Sequence, residues 1–266
     1  MKKSRRHALG QHFLKNPRIL NKIVACISPN GDDTIVEVGA GEGHLTALLA
    51  EKAKHIIALE KDARLMPGLR EKKFPNVSLM EADVLSVRFR DIIPVSRVTV
   101  VGNLPYAISA PFLFKIVEER DVVQAGHFLL QKEVAERVCS SPNSKKYGPL
   151  TILLQNYFDP RIAFSLGPGA FSPPPRVDSA LLTLLPLAKP LAQIQDEPRF
   201  RRFLHGLFRQ RRKTLGNNLR LMGLPSDEIE AAARRCTLDL RLRPEQLSPD
   251  RVICLYESLL PNITRR

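Results

Sequence analysis

The sequence predicts an α/β protein: a parallel sheet covered by helices on both faces, followed by a smaller all-helical domain. Three observations carry that prediction. Between residues 34 and 131, short β-rich runs alternate with helical patterns, as in successive strand–helix–strand units. Residues 186–198 hold three prolines and read as a boundary. Beyond it, Phe200, Phe203, Leu204, Leu207 and Phe208 recur at three- and four-residue spacing, while Arg201, Arg202, Arg209, Arg211 and Arg212 fill the other faces. The expected organisation is a basic N-terminal arm over residues 1–31, an α/β domain over 32–187 and a helical domain over 188–266.

The elements follow in order. Thr34–Val38 is the first strand, and a helix starts at Gly43. His55–Glu60 is the second strand, followed by a helix over 62–71 and a third strand over 77–80. Residues 98–101 form the fourth strand, 110–119 a helix and 126–131 the fifth strand. Residues 140–149 are polar, with proline, glycine and two lysines, and read as a mobile loop. Residues 151–158 and 179–185 read as further strands closing one edge. Ser226–Arg235 is a helix with Ser226 as its N-cap, and 249–260 is a last helix.

Composition narrows the function. The chain has 266 residues, 44% hydrophobic and 26% charged, a globular balance. Lys plus Arg number 41 against 27 acids, a net charge of +14. The excess sits in two flanks. Residues 1–31 hold seven basic residues and no acid, residues 187–266 hold sixteen against nine, and the centre balances. A neutral body with basic flanks suits a polyanion, because each cation set against a phosphate releases condensed counterions. No apolar run approaches the roughly 18 residues of a membrane span. No apolar stretch of signal-peptide type follows Lys2, Lys3, Arg5 and Arg6, so a cytoplasmic protein with no membrane partner is expected. Cys26, Cys139, Cys236 and Cys254 are scattered without a CxxC, which argues against disulfides and zinc ribbons. The histidines show no ligand spacing, so no metal is expected. The absence of heptads points to a monomer.

After the first strand comes Glu37-Val38-Gly39-Ala40-Gly41-Glu42-Gly43-His44. Glycines between a strand and a helix let a ligand approach the backbone. The dinucleotide pattern needs Gly or Ala where His44 stands. Glu60, at the end of the second strand, is placed to accept both ribose hydroxyls of an adenosine. Asp83, past the third strand, is placed to accept from the adenine amine. Glu37, Glu60 and Asp83 would repel a dinucleotide's phosphates yet tolerate a cation. S-adenosylmethionine, an adenosine with a sulfonium and no pyrophosphate, therefore fits better than NAD.

The fourth strand runs into Gly102-Asn103-Leu104-Pro105-Tyr106. An adenine amine is a poor nucleophile, because its lone pair is delocalised into the ring. Two acceptors taking hydrogen bonds from both N–H groups favour a pyramidal nitrogen with its lone pair available. Asn103 offers a side-chain carbonyl and Leu104 a backbone carbonyl, which Pro105 stiffens. Tyr106 supplies a face for the base. Orientation and polarisation then do the catalysis, without a tuned general base. A bare Asn-x-Pro-Tyr also describes an ordinary proline turn; its place at the end of a strand in a glycine-loop domain favours the catalytic reading.

These residues together resemble the small-subunit ribosomal RNA adenine dimethyltransferases, the family of the kasugamycin-sensitivity enzyme. The likeness covers nearly the whole chain. It rests on Gly10-Gln11-His12-Phe13-Leu14, the run from Val36 to Gly43, Glu81-Ala82-Asp83, Asn103-Leu104-Pro105-Tyr106 and Tyr147-Gly148. It continues with the run from Phe171 to Ser179 that contains Pro173-Pro174-Pro175, with Gln210-Arg211-Arg212-Lys213-Thr214-Leu215 and with Asn217-Asn218-Leu219. The resemblance implies a Rossmann-like class I S-adenosylmethionine-dependent methyltransferase sheet with a helical C-terminal domain that binds RNA. It implies transfer of four methyl groups to two adjacent adenosines near the 3′ end of small-subunit rRNA, within a pre-ribosomal particle. It further implies that His12, Leu14, Gly39, Gly41, Glu60, Asp83 and Asn103 line the cofactor site. Phe171 would close a base sandwich opposite Tyr106, and Lys145, Lys146, Arg209, Arg211, Arg212 and Lys213 would meet RNA phosphates. Position 12 departs from the family's usual Asn, although a neutral imidazole still donates a hydrogen bond.

Four rivals share parts of this pattern. A large-subunit rRNA methyltransferase of the macrolide-resistance type has the same corner and plan. A mitochondrial transcription-factor relative is disfavoured by the lack of a transit peptide. A ribosome-assembly factor with methylation secondary is a binding rather than an enzymatic reading. An NAD-dependent oxidoreductase fails at His44 and lacks a hydride-transfer acid.

Overall fold

The computed structural model of the protein describes residues 12–263; Lys2, Lys3, Arg5, Arg6 and the Gly10-Gln11 pair lie outside the described residues. The chain divides into two compact units. One comprises residues 12–135 with Asp159–Pro186, the other Glu136–Phe158 with the chain from Leu187 onward.

The first unit is built on a seven-stranded sheet. Its strands are β2 (Thr34–Val38), β3 (His55–Glu60), β4 (Val77–Glu81), β5 (Val98–Asn103), β6 (Val123–Gln131), β7 (Phe158–Leu166) and β9 (Ser179–Pro186). Their order is β4-β3-β2-β5-β6-β9-β7. β4 through β6 pair in parallel, and β9 turns back antiparallel on β6. Every residue of β2 is buried, which fits a central parallel strand covered on both faces. Chain order reverses between β2 and β5, since β3 and β4 stack on one side of β2 and β5 and β6 on the other. Ligands bind at the C-terminal strand ends of such a switch point. The five parallel strands lie where the apolar runs placed them. The strand order and parallel pairing are those of the Rossmann-like sheet that the resemblance implied.

Several expectations need correction. The presumed N-terminal arm is, from residue 12, part of the first unit. It holds β1 (Phe13–Leu14) and α1 (Pro17–Ile27), whose Leu20, Ile23 and Val24 are buried. β1 pairs antiparallel with β8 (Phe171–Ser172). Residues 151–158, expected as a strand, lie mostly in α7 (Pro149–Gln155). Pro149 follows Gly148 at the first helical position, where a missing N–H does no harm. Residues 150 to 154 are all buried, so the helix lacked the one-sided pattern that reveals helices. β7 passed unread, because Pro160 sits within it; the strand lies at the sheet edge, where proline is tolerated.

The second unit is helical: α7 packs with α8 (Glu197–Leu207) and α11 (Pro249–Ile263), and α9 (Leu215–Leu221) and α10 (Ser226–Arg235) complete it. Ser226 is its helix's first residue rather than the cap, which is Pro225. The loop over 140–149 is tied down by the fully buried Tyr147 and by the Asn143 N–H donating to the Glu245 carbonyl at 2.8 Å. Cys236 and Cys254 form a disulfide, contrary to the expectation from spacing. Packing of α10 against α11 brings the pair together across 18 residues of sequence.

Gly102 pairs with Val38, and a Cβ there would lie 2.5 Å from the Val38 carbonyl oxygen. Gly102→Ala is expected to lower stability by about 1–3 kcal/mol by overpacking, read by urea denaturation. An unchanged midpoint would mean that β2 and β5 do not need this close approach.

Candidate active site

The close pairing at Gly102 makes β2 and β5 release their chains side by side. Gly39 and Asn103 are the next residues, and a Cβ on Gly39 would stand 3.5 Å from the Asn103 carbonyl oxygen. Gly39, Gly41 and Gly43 have φ of 74°, 60° and 76°, left-handed values that favour glycine. Leu59 O accepts from the Gly39 and Ala40 N–H groups at 2.8 and 3.1 Å, which fixes the turn on β3.

A cavity of about 540 Å³ opens between this loop and the corner. His12, Gly39, Gly41, Glu60, Asp83, Asn103, Leu104, Pro105 and Tyr106 line it, and Phe13, Lys61, Asp62 and Ile108 join them. Glu60 is 5% exposed, and its two oxygens accept from the Gly41 and Asp62 N–H groups, each at 2.8 Å. The carboxylate thus braces the glycine loop, and each oxygen retains a lone pair. Asp83 accepts from Lys61 Nζ at 2.6 Å and from the Leu85 N–H at 3.0 Å, which hold its carboxyl below the usual range.

The corner is tied at several points. The Asn103 Nδ2 donates to the His12 carbonyl at 2.8 Å, which fixes the amide so that Oδ1 stays available as an acceptor. The Leu104 N–H donates to the Leu129 carbonyl at 2.9 Å. His12 Nδ1 lies 2.8 Å from the Pro173 carbonyl, and its ring centroid is 5.6 Å from that of Tyr106, tilted 35°. These rings are in direct contact. The Tyr106 hydroxyl is 2.9 Å from Ser179 Oγ.

Two predicted site residues lie elsewhere. Phe171 is 6% exposed and packs with Leu14, Leu20, Ile23, Leu129 and Leu181; it does not line the cavity opposite Tyr106. Its pairing with Leu14 between β1 and β8 turns it into the core. Leu14 lines a smaller recess of about 50 Å³, together with Glu37, Asn103 and His127. Lys61 was not foreseen, since nothing in its local sequence distinguishes it, while Phe13 and Ser179 stand within runs that carry the resemblance but had no role assigned. Among the RNA candidates, all in the second unit, Lys145, Arg209, Arg212 and Lys213 are exposed. Lys146 pairs with Glu136, and Arg211 with Glu245 at 2.9 Å and the Tyr147 carbonyl at 3.2 Å, so both hold the fold as well.

Glu37, 2% exposed, has an Oε2 with no hydrogen-bond partner among the described residues. Burial pushes its carboxyl up to about 7, against the Thr46 hydroxyl and with the Glu60 charge. Burial also pushes the neighbouring His127 down to about 4, leaving a neutral imidazole. An unpartnered buried acid near Glu60, with Asp62 and Asp83 lining the larger cavity, suits a ligand that carries adenosine and positive charge. The same carboxylates oppose a diphosphate. Among the described residues no group of three His, Cys, Asp or Glu could hold a metal, and no helix is long and apolar enough to cross a membrane.

Comparison with known proteins agrees with this geometry. A family model described as ribosomal RNA adenine dimethylase matches residues 2–259. "Ribosomal RNA small subunit methyltransferase A" of Geobacter sulfurreducens is 40% identical over 262 residues, covering 96% of this chain and 95% of that protein. Its counterpart from Acinetobacter baylyi is 37% identical over 96% of this chain and 93% of that protein. Among solved structures, a dimethyladenosine transferase from Plasmodium falciparum superposes with a TM-score of 0.75 at 23% identity, over 94% of this chain and 98% of that one. The 23S rRNA methyltransferase ErmE superposes with a TM-score of 0.70 at 26% identity, over 93% and 99%. Sheet, glycine loop and corner define a class I methyltransferase. Within that class, the chain belongs to the ribosomal RNA adenine dimethylase family.

The pH dependence of Glu37 follows from its raised value. The folded chain keeps this proton up to about pH 7, whereas the unfolded chain releases it near 4.5, so this group's contribution to stability falls as pH rises between those values. A cation bound at Oε2 favours the carboxylate. Affinity for a cationic adenosine ligand should therefore rise from pH 6 to 8, as measured by equilibrium dialysis. Glu37→Gln should flatten that slope; a slope unchanged in the variant would remove Glu37 from the site.

Proposed function

We propose that this chain transfers methyl groups from S-adenosylmethionine to the exocyclic amines of two adjacent adenosines near the 3′ end of small-subunit rRNA. The product at each is N,N-dimethyladenosine. The bound cofactor supplies a methyl group on a sulfonium, electrophilic without further activation. Asn103 Oδ1 and the Leu104 carbonyl accept the two amine hydrogens and draw the nitrogen towards pyramidal geometry. Pro105 keeps the second acceptor stiff, and Tyr106 holds the ring plane. The proton leaves to water after transfer, so the corner needs no base. Glu60 and Asp83 hold the ribose and adenine of the cofactor, with Gly39 and Gly41 giving its tail room and Glu37 countering its charge.

The observation that carries this reading is that the anchored Asn103 amide and the acid-lined adenosine cavity share one opening. Relatives named for the small-subunit reaction, at 37–40% identity, favour that substrate over the large-subunit alternative. Lys145, Arg209, Arg212 and Lys213 would meet RNA phosphates, a reading supported by their exposure. The substrate would be a pre-ribosomal 30S particle, and the chain a cytoplasmic monomer.

Asn103→Ala should abolish methylation of small-subunit rRNA, read by mass spectrometry of nucleosides, while pre-ribosome binding persists. Loss of both together would show that binding and catalysis are one function. Tyr106→Ala should weaken RNA engagement by about 1–3 kcal/mol and leave cofactor affinity unchanged; equal losses in both would contradict a stacking role. RNA affinity should fall steeply with added salt, and a flat response would remove the phosphate contacts.

A further inference from the structure

A stacked base is oriented no better than the ring beneath it. Tyr106 opens a single 3-10 turn, Tyr106–Ile108, and the turn's own bond, Ile108 N–H to the Pro105 carbonyl at 3.0 Å, fixes only the backbone. The His12 ring touches the phenol on one side, and the phenol's tilt about its two side-chain torsions is set where its far end is held. That end lies 2.9 Å from Ser179 Oγ, and either hydroxyl can donate.

Ser179 is well placed as an anchor. It is 1% exposed and begins β9, where its register partner is Gln131 of β6. Two residues further, Leu181 pairs with Leu129, whose carbonyl accepts the Leu104 N–H. Both ends of the corner are thus referenced to the β6–β9 pair, the acceptor through Leu104 and the ring through Ser179.

We infer that Ser179 is a positioning residue that sets the tilt of the Tyr106 ring and so governs the second methyl transfer at each adenosine. The inference rests on the adenine reading above. Its chemistry lies in the hydrogen count. An unmodified amine has two N–H groups for Asn103 Oδ1 and the Leu104 carbonyl. After one transfer a single N–H remains, so one of the two acceptors loses its partner. The stacked ring must then hold more of the orientation, and any freedom in Tyr106 costs the second step more than the first. A residue that merely supported the fold would slow both steps alike.

The test compares the parent chain with Ser179→Ala on small-subunit rRNA, following monomethyl- and dimethyladenosine by mass spectrometry. The expected result is a slower second transfer, by about threefold to tenfold as befits one hydrogen bond, with monomethyladenosine accumulating. Cofactor affinity and thermal midpoint should match the parent. Tyr106→Phe removes the other half of the same bond and should give the same product ratio, and the double variant should add nothing. A parent-like ratio in both single variants overturns the inference, as does equal slowing of both transfers. Should Ser179→Ala fail to fold, Tyr106→Phe alone decides. If the parent chain methylates no adenosine, the functional reading itself falls; if it does so and the variants match it, only the role of Ser179 falls.

Discussion

One hydrogen bond, from the Asn103 amide to the His12 carbonyl, sets the chemical polarity of the site. A primary amide can present either a donor or an acceptor. Committing its N–H to the backbone just ahead of β1 leaves the carbonyl as the end that addresses a ligand. That choice separates a group that polarises an amine from one that would repel its hydrogens. It also explains why the chain ahead of the sheet is part of the site: His12 supplies the carbonyl, touches the Tyr106 ring and reaches the Pro173 carbonyl. Three segments distant in sequence thereby meet at one corner.

Charge follows the same division of labour. Glu60 spends one hydrogen bond from each oxygen on the loops around it, and Asp83 is held ionised by Lys61 and the Leu85 N–H. Glu37, next to the glycine loop, carries a buried oxygen without a partner among the described residues. A cavity so furnished selects against phosphates and for a cation before any shape is considered.

Much of this was legible in the residues. The inner parallel strands stood out because strands buried on both faces are largely apolar runs, as in Thr34–Val38 and His55–Glu60. The glycine loop and corner were legible because each combines rare residue types at a strand end. Other features were hidden for physical reasons. α1 was hidden because residues 1–31 were read by their net charge rather than by the spacing of Leu20, Ile23 and Val24. α7 is buried all round and so shows no stripe, and β7 carries a proline. Phe171 belongs to the core because strand pairing with Leu14 turns it inward, a matter of register that a linear motif does not contain. The Cys236–Cys254 bond and the Ser179 contact depend on packing between elements, which spacing does not reveal.

The central claim is that two acceptors at this corner hold an adenine amine by both of its hydrogens. It is tested most directly by nitrogen-15 NMR of an rRNA fragment labelled at the target amine and bound to the chain with S-adenosylhomocysteine. The account predicts two distinct, downfield-shifted amine protons that exchange slowly, with one of them returning to its free position in Asn103→Ala. A single averaged resonance like that of free adenosine, in a complex shown to be saturated, would contradict it.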